Sequence, residues 1–397
     1  MSSDDEDFGR AVPSGRLSRL MRMGALAGGI GGRALASGAA ALASGQRPSA
    51  SGLLMTPANA MRLADQLSQM RGGAMKIGQL LSMDTAGFLP PELTQILSRL
   101  RADADPMPPR QLRAQLDRAW GEGWLPRFQR FQTRPIAAAS IGQVHRAQTR
   151  DGRDLAIKVQ YPGVRDSIDS DVANLGLLLR MPGLLPRGVD LPPLLTEARQ
   201  QLQAEADYDR EAAQMSRFGA ALADWPEFLL PRPDAEFCGP DVLAMDFLPS
   251  QPIEALADED QPVRDRAADA LARLVLAELF DFNLMQTDPN FANYRWQPDS
   301  RRIVLLDFGA TRSFSDDVAP AFRRLLNAAL EDDRDAIRAA AIQIGYFRED
   351  TAPDHQAMLL DMMELAFQPL RRSGAFDLAA TDIPQRIAAL AMDLAQR

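Results

Sequence analysis

Hydrophobic and polar residues recur with more than one period along the 397-residue chain. Residues 57–120 carry apolar side chains at near-helical spacing, which predicts helices. We expect these helices to begin at Thr56-Pro57, at Pro90-Pro91 and at Arg110. Proline fits the first turn of a helix, and further prolines mark the segment before the third helix. The pattern therefore predicts a helical region before Trp124.

The period changes after Trp124. Apolar and polar residues alternate on both sides of Asp151-Gly152, a dipeptide typical of tight hairpin turns, so a β-hairpin is predicted there. Helices are predicted over residues 164–181 and 191–221, and two strands are predicted around Cys238-Gly239-Pro240. This part of the chain is expected to combine strands with helices.

The last third of the chain is mostly helical in pattern. Helical spacing returns at Ala255 and continues to Met285. The apolar run from Arg301 to Phe308 predicts a buried strand, and residues 315–397 are expected to be helical. The pattern as a whole predicts an α+β fold.

Composition excludes several classes of function. Hydrophobic residues make up 46% of the chain, which is enough to fill a core. The formal net charge of −9 argues against a nucleic-acid partner, because such partners favour a basic surface. Cys238 is the single cysteine, and His145 and His355 are the two histidines. An internal disulfide and a histidine-based zinc site are therefore both disfavoured.

The first 54 residues differ from the rest. Their acidic start disfavours a secretory signal, and the absence of an uncharged apolar stretch of about 18 residues predicts no transmembrane helix. Gly24, Gly28 and Gly32 form a small-residue face that would let helices approach closely in lipid, while Arg33 interrupts the run. Two interpretations stay open: a flexible tail, or a segment that lies on a membrane or self-associates.

Three polar residues beside a predicted strand suggest metal-dependent chemistry. Asp288 and Asn293 have the spacing of the D-x-x-x-x-N catalytic loop of protein kinases, and Asp307-Phe308-Gly309 follows after one strand. Asn293 and Asp307 offer the hard oxygen ligands that Mg²⁺ prefers. Asp288 stands where a kinase orients the nucleophile. The order of these residues predicts a kinase-like site for ATP and Mg²⁺.

Residues upstream supply the other parts of such a site. Lys158 lies in "LAIKV", which resembles the strand whose lysine binds the α- and β-phosphates of ATP. The stretch Ala137-x-Ala139-x-x-Gly142-x-Val144 keeps the spacing of the glycine-rich loop over the phosphates, with alanine at the first two glycine positions. A later helix carries four acids, one of which would pair with the lysine: Glu205, Asp207, Asp209 and Glu211.

Two departures from protein kinases affect the prediction of substrate. Gln286 and Thr287 replace the His and Arg of the usual H-R-D sequence, and no A-P-E follows Asp307-Phe308-Gly309. The usual platform for a peptide substrate is therefore not evident. The sequence predicts ATP binding but does not favour the phosphorylation of proteins.

The chain resembles the UbiB/AarF family of atypical protein-kinase-like proteins, in particular the branch that includes the mitochondrial coenzyme Q atypical kinases. The resemblance runs from about Ala11 to the C-terminus. It rests on six stretches: "KIGQ", "AAASIGQVH", "AIKVQYPGV", "EADYDREA", "QTDPNFANY" and "LLDFGATR". It implies a two-lobed atypical protein-kinase-like fold with an N-terminal helical extension over the active site.

This resemblance implies roles for four groups of residues. The catalytic group is Asp288, Lys158 and Glu211, with Glu211 paired to the lysine. The Mg²⁺ ligands are Asn293 and Asp307. The ATP contacts are Ala137, Ala138, Ala139, Ser140, Gly142, Lys158, Met245 and Phe247. The gating motifs are K-x-G-Q, with Lys76, Gly78 and Gln79, and E-x-D, with Glu205 and Asp207.

Four regions are expected along the chain. Residues 1–54 would form a flexible or membrane-associating segment, and residues 55–123 the helical extension. Residues 124–249 would form a kinase-like N-lobe with inserted helices, and residues 250–397 a mostly helical C-lobe.

The function that the resemblance implies is an ATP- and Mg²⁺-dependent ATPase that supports ubiquinone (coenzyme Q) biosynthesis at a membrane. Its implied partners are membrane lipids and ubiquinone-biosynthesis enzymes or quinone precursors, and the glycine face of residues 24–32 permits a homodimer. The sequence lacks the C-terminal pair of membrane helices of bacterial UbiB members. We therefore expect a protein of the bacterial cytoplasm that binds peripherally to the inner membrane. Two alternatives stay open: a phosphotransferase for a protein or small molecule, and a non-catalytic nucleotide-binding scaffold.

Overall fold

The computed structural model describes residues 106–139, 141–180, 191–288, 290–377 and 380–396. These residues divide into two compact units, one of residues 106–267 and 288–311, the other of residues 268–287 and 312–396. Several predictions lie outside the described residues: the segment 1–54, the helices before residue 101, Lys76, Gly78, Gln79 and Ser140.

The first unit contains two sheets and four complete helices within the part of the chain described. Its helices are α1 (Pro109–Trp120), α2 (Val164–Leu179), α3 (Leu191–Glu205) and α4 (Tyr208–Ala221). Its first sheet contains β1 (Phe128–Phe131), β2 (Ala137–Ala138), β3 (Gly142–Thr149), β4 (Asp154–Gln160) and β6 (Val242–Asp246). Its second sheet contains β5 (Phe228–Leu229), β7 (Gln251–Pro252), β9 (Tyr294–Gln297) and β10 (Arg302–Leu305).

The predicted hairpin is confirmed as β3 and β4. Gly152 adopts a φ of +94° in its turn, a conformation that glycine reaches without strain. The antiparallel register places Lys158 opposite Val144, and β6 pairs with the other edge of β4. Because β4 is a central strand, nearly all of its residues are buried. The lysine is thereby held within the sheet rather than on an exposed edge.

The prediction of one continuous helix over residues 191–221 is wrong. The structure contains two helices, α3 and α4, with a break at Ala206-Asp207. Asp207 caps α4, because its side chain accepts a hydrogen bond of 2.9 Å from the backbone N–H of Arg210. The helix α4 that begins after the break carries Glu211, whose carboxylate lies 2.9 Å from Lys158 Nζ.

The strands predicted around Cys238-Gly239-Pro240 are only partly confirmed. β6 follows this turn, but the preceding strand is the short β5, which pairs in parallel with β10 in the other sheet. Pro231 and Pro233 interrupt the segment between β5 and the turn, and proline cannot donate to a strand ladder. The predicted buried strand before Asp307 is confirmed as β10, which lies between β5 and β9.

The second unit is mainly helical in the residues described, as predicted for residues 315–397. It contains α6 (Val318–Leu330), α7 (Arg334–Ile344), α8 (Pro353–Phe367) and α9 (Ile383–Gln396). The helix α5 (Gln261–Phe280) contributes to both units and starts later than the predicted Ala255, after a 3₁₀ turn at Ile253–Asp258. Two short strands complete the list, β8 (Leu284–Gln286) and β11 (Thr311–Ser313). No helix among the described residues is both long and apolar enough to cross a membrane.

Candidate active site

A cavity of about 920 Å³ opens in the first unit, a size that suits a small organic ligand. Segments that are far apart in the sequence line it. They include Ala137, Ala138, Ala139, Lys158, Glu205, Met245, Phe247, Leu248, Ser250, Asp288, Asn293, Arg295 and Asp307. Most of the residues predicted to act together from sequence therefore share one cavity.

Lys158 is held by an ion pair with Glu211. Its Nζ donates to both carboxylate oxygens at 2.9 Å, and the Glu211 side chain is completely buried. The Asp307 carboxylate lies 3.7 Å from the same nitrogen. Burial by itself lowers the pKa of Lys158, but Asp307 and Glu211 raise it well above its ordinary value. The lysine is therefore a cation, as the binding of phosphates requires.

Glu211 is the one of the four predicted acids that pairs with the lysine. Burial raises the pKa of Glu211 to about 7, although the Lys158 ammonium opposes the shift. Glu205 lines the cavity at the end of α3, whereas Asp207 is exposed and caps α4. The E-x-D pair is thus divided between a cavity residue and a helix cap.

The helix α4 also holds the Asp307-Phe308-Gly309 segment. Arg210 donates from Nη1 to the carbonyl oxygen of Gly309 at 2.7 Å and from Nη2 to the carbonyl oxygen of Thr311. The Phe308 ring packs against Phe218 of α4 with ring centroids 5.3 Å apart. Arg210 was not singled out from the sequence, where only its place beside Glu211 marks it. One helix therefore contacts both the lysine and the backbone that follows the predicted metal ligand Asp307.

Asn293 and Asp307 both line the cavity and carry oxygen atoms of the kind that Mg²⁺ prefers. The Asn293 amide nitrogen donates to the backbone oxygen of Asp288 at 3.1 Å, which orients the amide and leaves its oxygen for a metal. Asp307 accepts the backbone N–H of Gly309 at 2.9 Å, and its side chain is more than a third exposed. Two hard oxygen ligands suit Mg²⁺, which takes its other ligands from phosphate and water.

The alanine-rich stretch lines the cavity with short side chains. β2 pairs with β3 through Ala137 and Ala138, and the N–H of Ala139 donates to the carbonyl oxygen of Gly142 at 2.9 Å. Each alanine side chain occupies space that a glycine would leave to the ligand. Ala137, Ala138 and Ala139 line the cavity, and a contact between them and ATP stays a prediction.

Gly142 is explained by packing. It is buried in β3 and is not among the cavity-lining residues. A Cβ atom at this position would lie 2.4 Å from the carbonyl oxygen of Val159 and 2.9 Å from the Tyr208 hydroxyl. Glycine is therefore required for the close approach of β3 to β4, and a contact between Gly142 and ATP stays a prediction.

Gln143 and His145 of the same stretch form a buried network. The Met107 backbone N–H donates to Gln143 Oε1 at 2.7 Å, and Gln143 Nε2 lies 2.8 Å from His145 Nε2. His145 Nδ1 lies 2.8 Å from the carbonyl oxygen of Gln132, and burial lowers the histidine pKa to about 4. A neutral ring that donates from Nδ1 and accepts at Nε2 satisfies all three groups. These two residues fasten the segment before α1 to the sheet.

Met245 and Phe247 lie where β6 leaves the sheet. Met245 pairs with Ala156 of β4, and the backbone N–H of Phe247 donates to the carbonyl oxygen of Asp154 at 2.8 Å. The Arg146 guanidinium lies 4.1 Å from the centre of the Phe247 ring. Both predicted contact residues line the cavity, in an apolar surrounding that suits a nucleobase.

Comparison with known proteins gives consistent matches. The ABC1 atypical kinase-like domain matches residues 99–341. The chain is 40% identical over 336 residues to "Atypical kinase COQ8, mitochondrial" of Saccharomyces cerevisiae, a match that covers 85% of this chain and 67% of that protein. It is 36% identical over 388 residues to "Atypical kinase COQ8B, mitochondrial" of Rattus norvegicus, covering 97% of this chain and 74% of that protein.

Two further matches define the extent of the similarity. The chain is 35% identical over 386 residues to "Atypical kinase coq-8, mitochondrial" of Caenorhabditis elegans, covering 95% of this chain but only 51% of that protein. Among solved structures, the Rv3197–erythromycin complex of Mycobacterium tuberculosis superposes with a TM-score of 0.53 at 25% identity. That match covers 84% of this chain and 90% of the other.

Proposed function

The chain belongs to the ABC1 atypical kinase-like family, and on this basis we propose that it is an ATP- and Mg²⁺-dependent atypical kinase/ATPase that supports ubiquinone biosynthesis at a membrane. The observation that carries the proposal is the cavity in which the Lys158–Glu211 pair lies beside Asp307, with Asn293 and Asp288 in the same wall. In kinases the lysine–glutamate pair and the aspartate must both be in place for phosphoryl transfer.

Each of these residues has a chemical role in the proposal. Lys158 binds the phosphates and is kept charged and oriented by Glu211. Asn293 and Asp307 would hold Mg²⁺, which when bound neutralises charge on the phosphates. Asp288 orients the attacking oxygen, in water or in an acceptor hydroxyl. The Asn293 amide, which is bonded to the Asp288 backbone, keeps the metal ligand and the catalytic residue in register.

The phosphoryl acceptor, the gating residues and the partners follow from the family resemblance and the sequence. Water is the first candidate acceptor, because the sequence lacks the A-P-E element of protein kinases. Lys76, Gly78 and Gln79 would gate the site together with Glu205 and Asp207. Membrane lipids and quinone-biosynthesis enzymes or quinone precursors would be partners, with residues 16–45 as the membrane contact on the inner face of a bacterial inner membrane. A homodimer through the glycine face belongs to the same proposal.

The test is ATP hydrolysis by the full chain and by Asp288→Asn, with and without Mg²⁺ and with and without vesicles of anionic lipid. We expect Mg²⁺-dependent hydrolysis that vesicles stimulate and that Asp288→Asn reduces by at least about a hundredfold. Asp299→Asn is the matched control, because Asp299 is an exposed residue between β9 and β10. Equal hydrolysis by wild type and Asp288→Asn would contradict the proposal. Tight binding of Mg-ATP without hydrolysis by either protein would favour a scaffold.

A further inference from the structure

Arg295 is a cation in the wall of the cavity with no role in the chemistry described above. It lies on β9, two positions after Asn293, opposite Pro252 of β7 and Val304 of β10. Its Nε donates to Ser250 Oγ at 2.9 Å and its Nη2 to the Ser250 carbonyl oxygen at 2.6 Å. The Ser250 hydroxyl in turn donates to the carbonyl oxygen of Leu248 at 3.0 Å. The guanidinium is therefore held in one orientation by the segment that follows β6.

The anchored guanidinium makes no direct contact with an acid in the part of the chain described, although the charge of Glu254 acts on it. No described carboxylate forms an ion pair with Arg295, and the hydrogen bonds assigned to it use only Nε and Nη2. Arg295 is half-buried in the wall of the cavity. A partly desolvated guanidinium is costly unless its N–H groups and its flat face find partners. A ligand in the cavity would supply them.

The surroundings of Arg295 indicate which part of a nucleotide it would contact. The groups suited to phosphate and metal are Lys158, Asp307 and Asn293, and the first two lie within 3.7 Å of each other. Arg295 is bonded instead to Ser250, in the segment that brings Phe247 and Leu248 to the cavity. Apolar side chains with a few fixed polar groups are typical of a site for a base and its sugar.

We propose that Arg295, positioned by Ser250, binds the nucleoside part of the nucleotide, with its flat face or free N–H groups against the base and ribose. Guanidinium groups stack on planar rings and donate in a fixed fork, so Arg295 would act on nucleotide affinity and selectivity rather than on the transfer step. The inference rests on the proposed function, because it requires that the cavity binds a nucleotide.

The experiment measures binding of Mg-ATP, adenosine and inorganic tripolyphosphate with Mg²⁺ by calorimetry to the full chain. We expect Arg295→Leu to weaken ATP and adenosine by a similar factor of about tenfold and to leave tripolyphosphate unchanged. Arg295→Lys keeps the charge but loses the planar fork, so it should weaken adenosine several-fold. Ser250→Ala should weaken adenosine less than Arg295→Leu does and have no further effect in the double variant.

Gln297→Ala is the control, because Gln297 also ties β9 to this segment, through the Pro249 carbonyl at 2.8 Å, yet does not line the cavity. It should bind all three ligands like wild type. Unchanged adenosine affinity in Arg295→Leu and Arg295→Lys would overturn the inference. A loss confined to tripolyphosphate would also overturn it and place Arg295 at the phosphates. If wild type bound none of the ligands, the proposed function itself would fail.

Discussion

Lys158 depends on charges contributed by residues far away in the sequence. It is nearly buried in a central strand, and a buried ammonium without carboxylates would lose its proton or destabilise the fold. Glu211 and Asp307 supply these carboxylates, and the Tyr208 ring lies 5.2 Å from the ammonium on another side. The lysine is therefore positioned by electrostatic contacts as much as by the strand.

Replacing Glu211 with Gln should impair both binding and stability. Without the Glu211 carboxylate, less negative charge compensates the cost of burying the Lys158 ammonium, and the ammonium loses the partner that orients it. We expect ATP hydrolysis to fall at least about tenfold and the free energy of unfolding to fall by about 3 kcal/mol. Asp209→Asn, an exposed residue of the same helix, should leave both unchanged. Wild-type hydrolysis and stability in Glu211→Gln would show that the pair has no such role.

A second buried acid, Glu278 of α5, predicts a dependence of stability on pH. It accepts the backbone N–H of Gln286 at 3.2 Å, and burial raises its pKa to about 7 from an ordinary 4.5. The folded chain therefore holds this proton more tightly than the unfolded chain. The stability that the proton contributes is complete below about pH 4.5 and is lost as the pH rises to about 7.

Glu278→Gln should therefore be more stable than wild type at pH 8. The amide is neutral at every pH and still offers an oxygen to Gln286. We expect an advantage of at most about 3 kcal/mol at pH 8 that shrinks steadily towards pH 4.5, measured as melting temperature against pH. A difference between the two proteins that does not change with pH would contradict the raised pKa.

At the scale of elements, α4 contacts both the phosphate-binding lysine and the segment that carries the predicted Mg²⁺ ligand Asp307. It presents Glu211 to Lys158 and Arg210 to the backbone after Asp307, and its Phe218 packs against Phe308. A shift of this helix would move the lysine and the metal ligand together. The capped start at Asp207 defines where the helix begins and so which residues it presents.

Arg210→Lys should weaken the apparent affinity for Mg²⁺. Arg210 uses two separate nitrogens for the Gly309 and Thr311 carbonyls, and the ammonium of a shorter lysine side chain does not reproduce that planar fork. The segment that carries Asp307 would therefore be less well ordered. We expect the Mg²⁺ concentration for half-maximal hydrolysis to rise about five- to tenfold, with a smaller change in the KM for ATP. Arg217→Ala, an exposed residue on the same helix, is the control. Equal changes in both constants would indicate a general loss of structure instead.

Gly142→Ala tests the contact between strands. The added Cβ would meet the Val159 carbonyl at 2.4 Å, and backbone atoms of a central sheet cannot move away cheaply. We expect a loss of about 1–3 kcal/mol in the free energy of unfolding, measured with denaturant. Gly219→Ala is a matched control, since its Cβ would meet nothing within 4 Å on the exposed side of α4. Wild-type stability in Gly142→Ala would show that the strands can separate there.

At the scale of the whole molecule, all residues that line the cavity belong to the first unit. A ligand that binds the folded unit and not the unfolded chain stabilises it by mass action, by about 2.7 kcal/mol at a hundred times its Kd. The part of the chain that a nucleotide stabilises therefore shows where the nucleotide binds.

Mg-ATP should slow amide exchange in the first unit. We expect protection in β2, β3, β4 and the residues from Asp288 to Gly309, measured by hydrogen exchange and mass spectrometry. Asp307→Asn should keep some protection by ATP and lose the part that requires Mg²⁺. Protection confined to residues 312–396 would place the nucleotide elsewhere.

The sequence alone determined the features that depend on local order. The hairpin of β3 and β4, the strand before Asp307 and the helices of residues 315–397 follow from period and turn residues, which act over a few positions. The order and spacing of Lys158, Asp288, Asn293 and Asp307 also carried the prediction of ATP and Mg²⁺ chemistry.

Tertiary structure decided which side chains meet. Residue pattern alone left four acids as partners for Lys158, and packing places Glu211 there, as the family resemblance implied. Packing also brought Arg210 to the carbonyls after Asp307 and Arg295 into the cavity wall. It also showed that Gly142 serves the approach of two strands, and that a cap at Asp207 divides one predicted helix in two. These contacts join residues far apart in the chain, so their distances depend on the whole fold and no local pattern contains them.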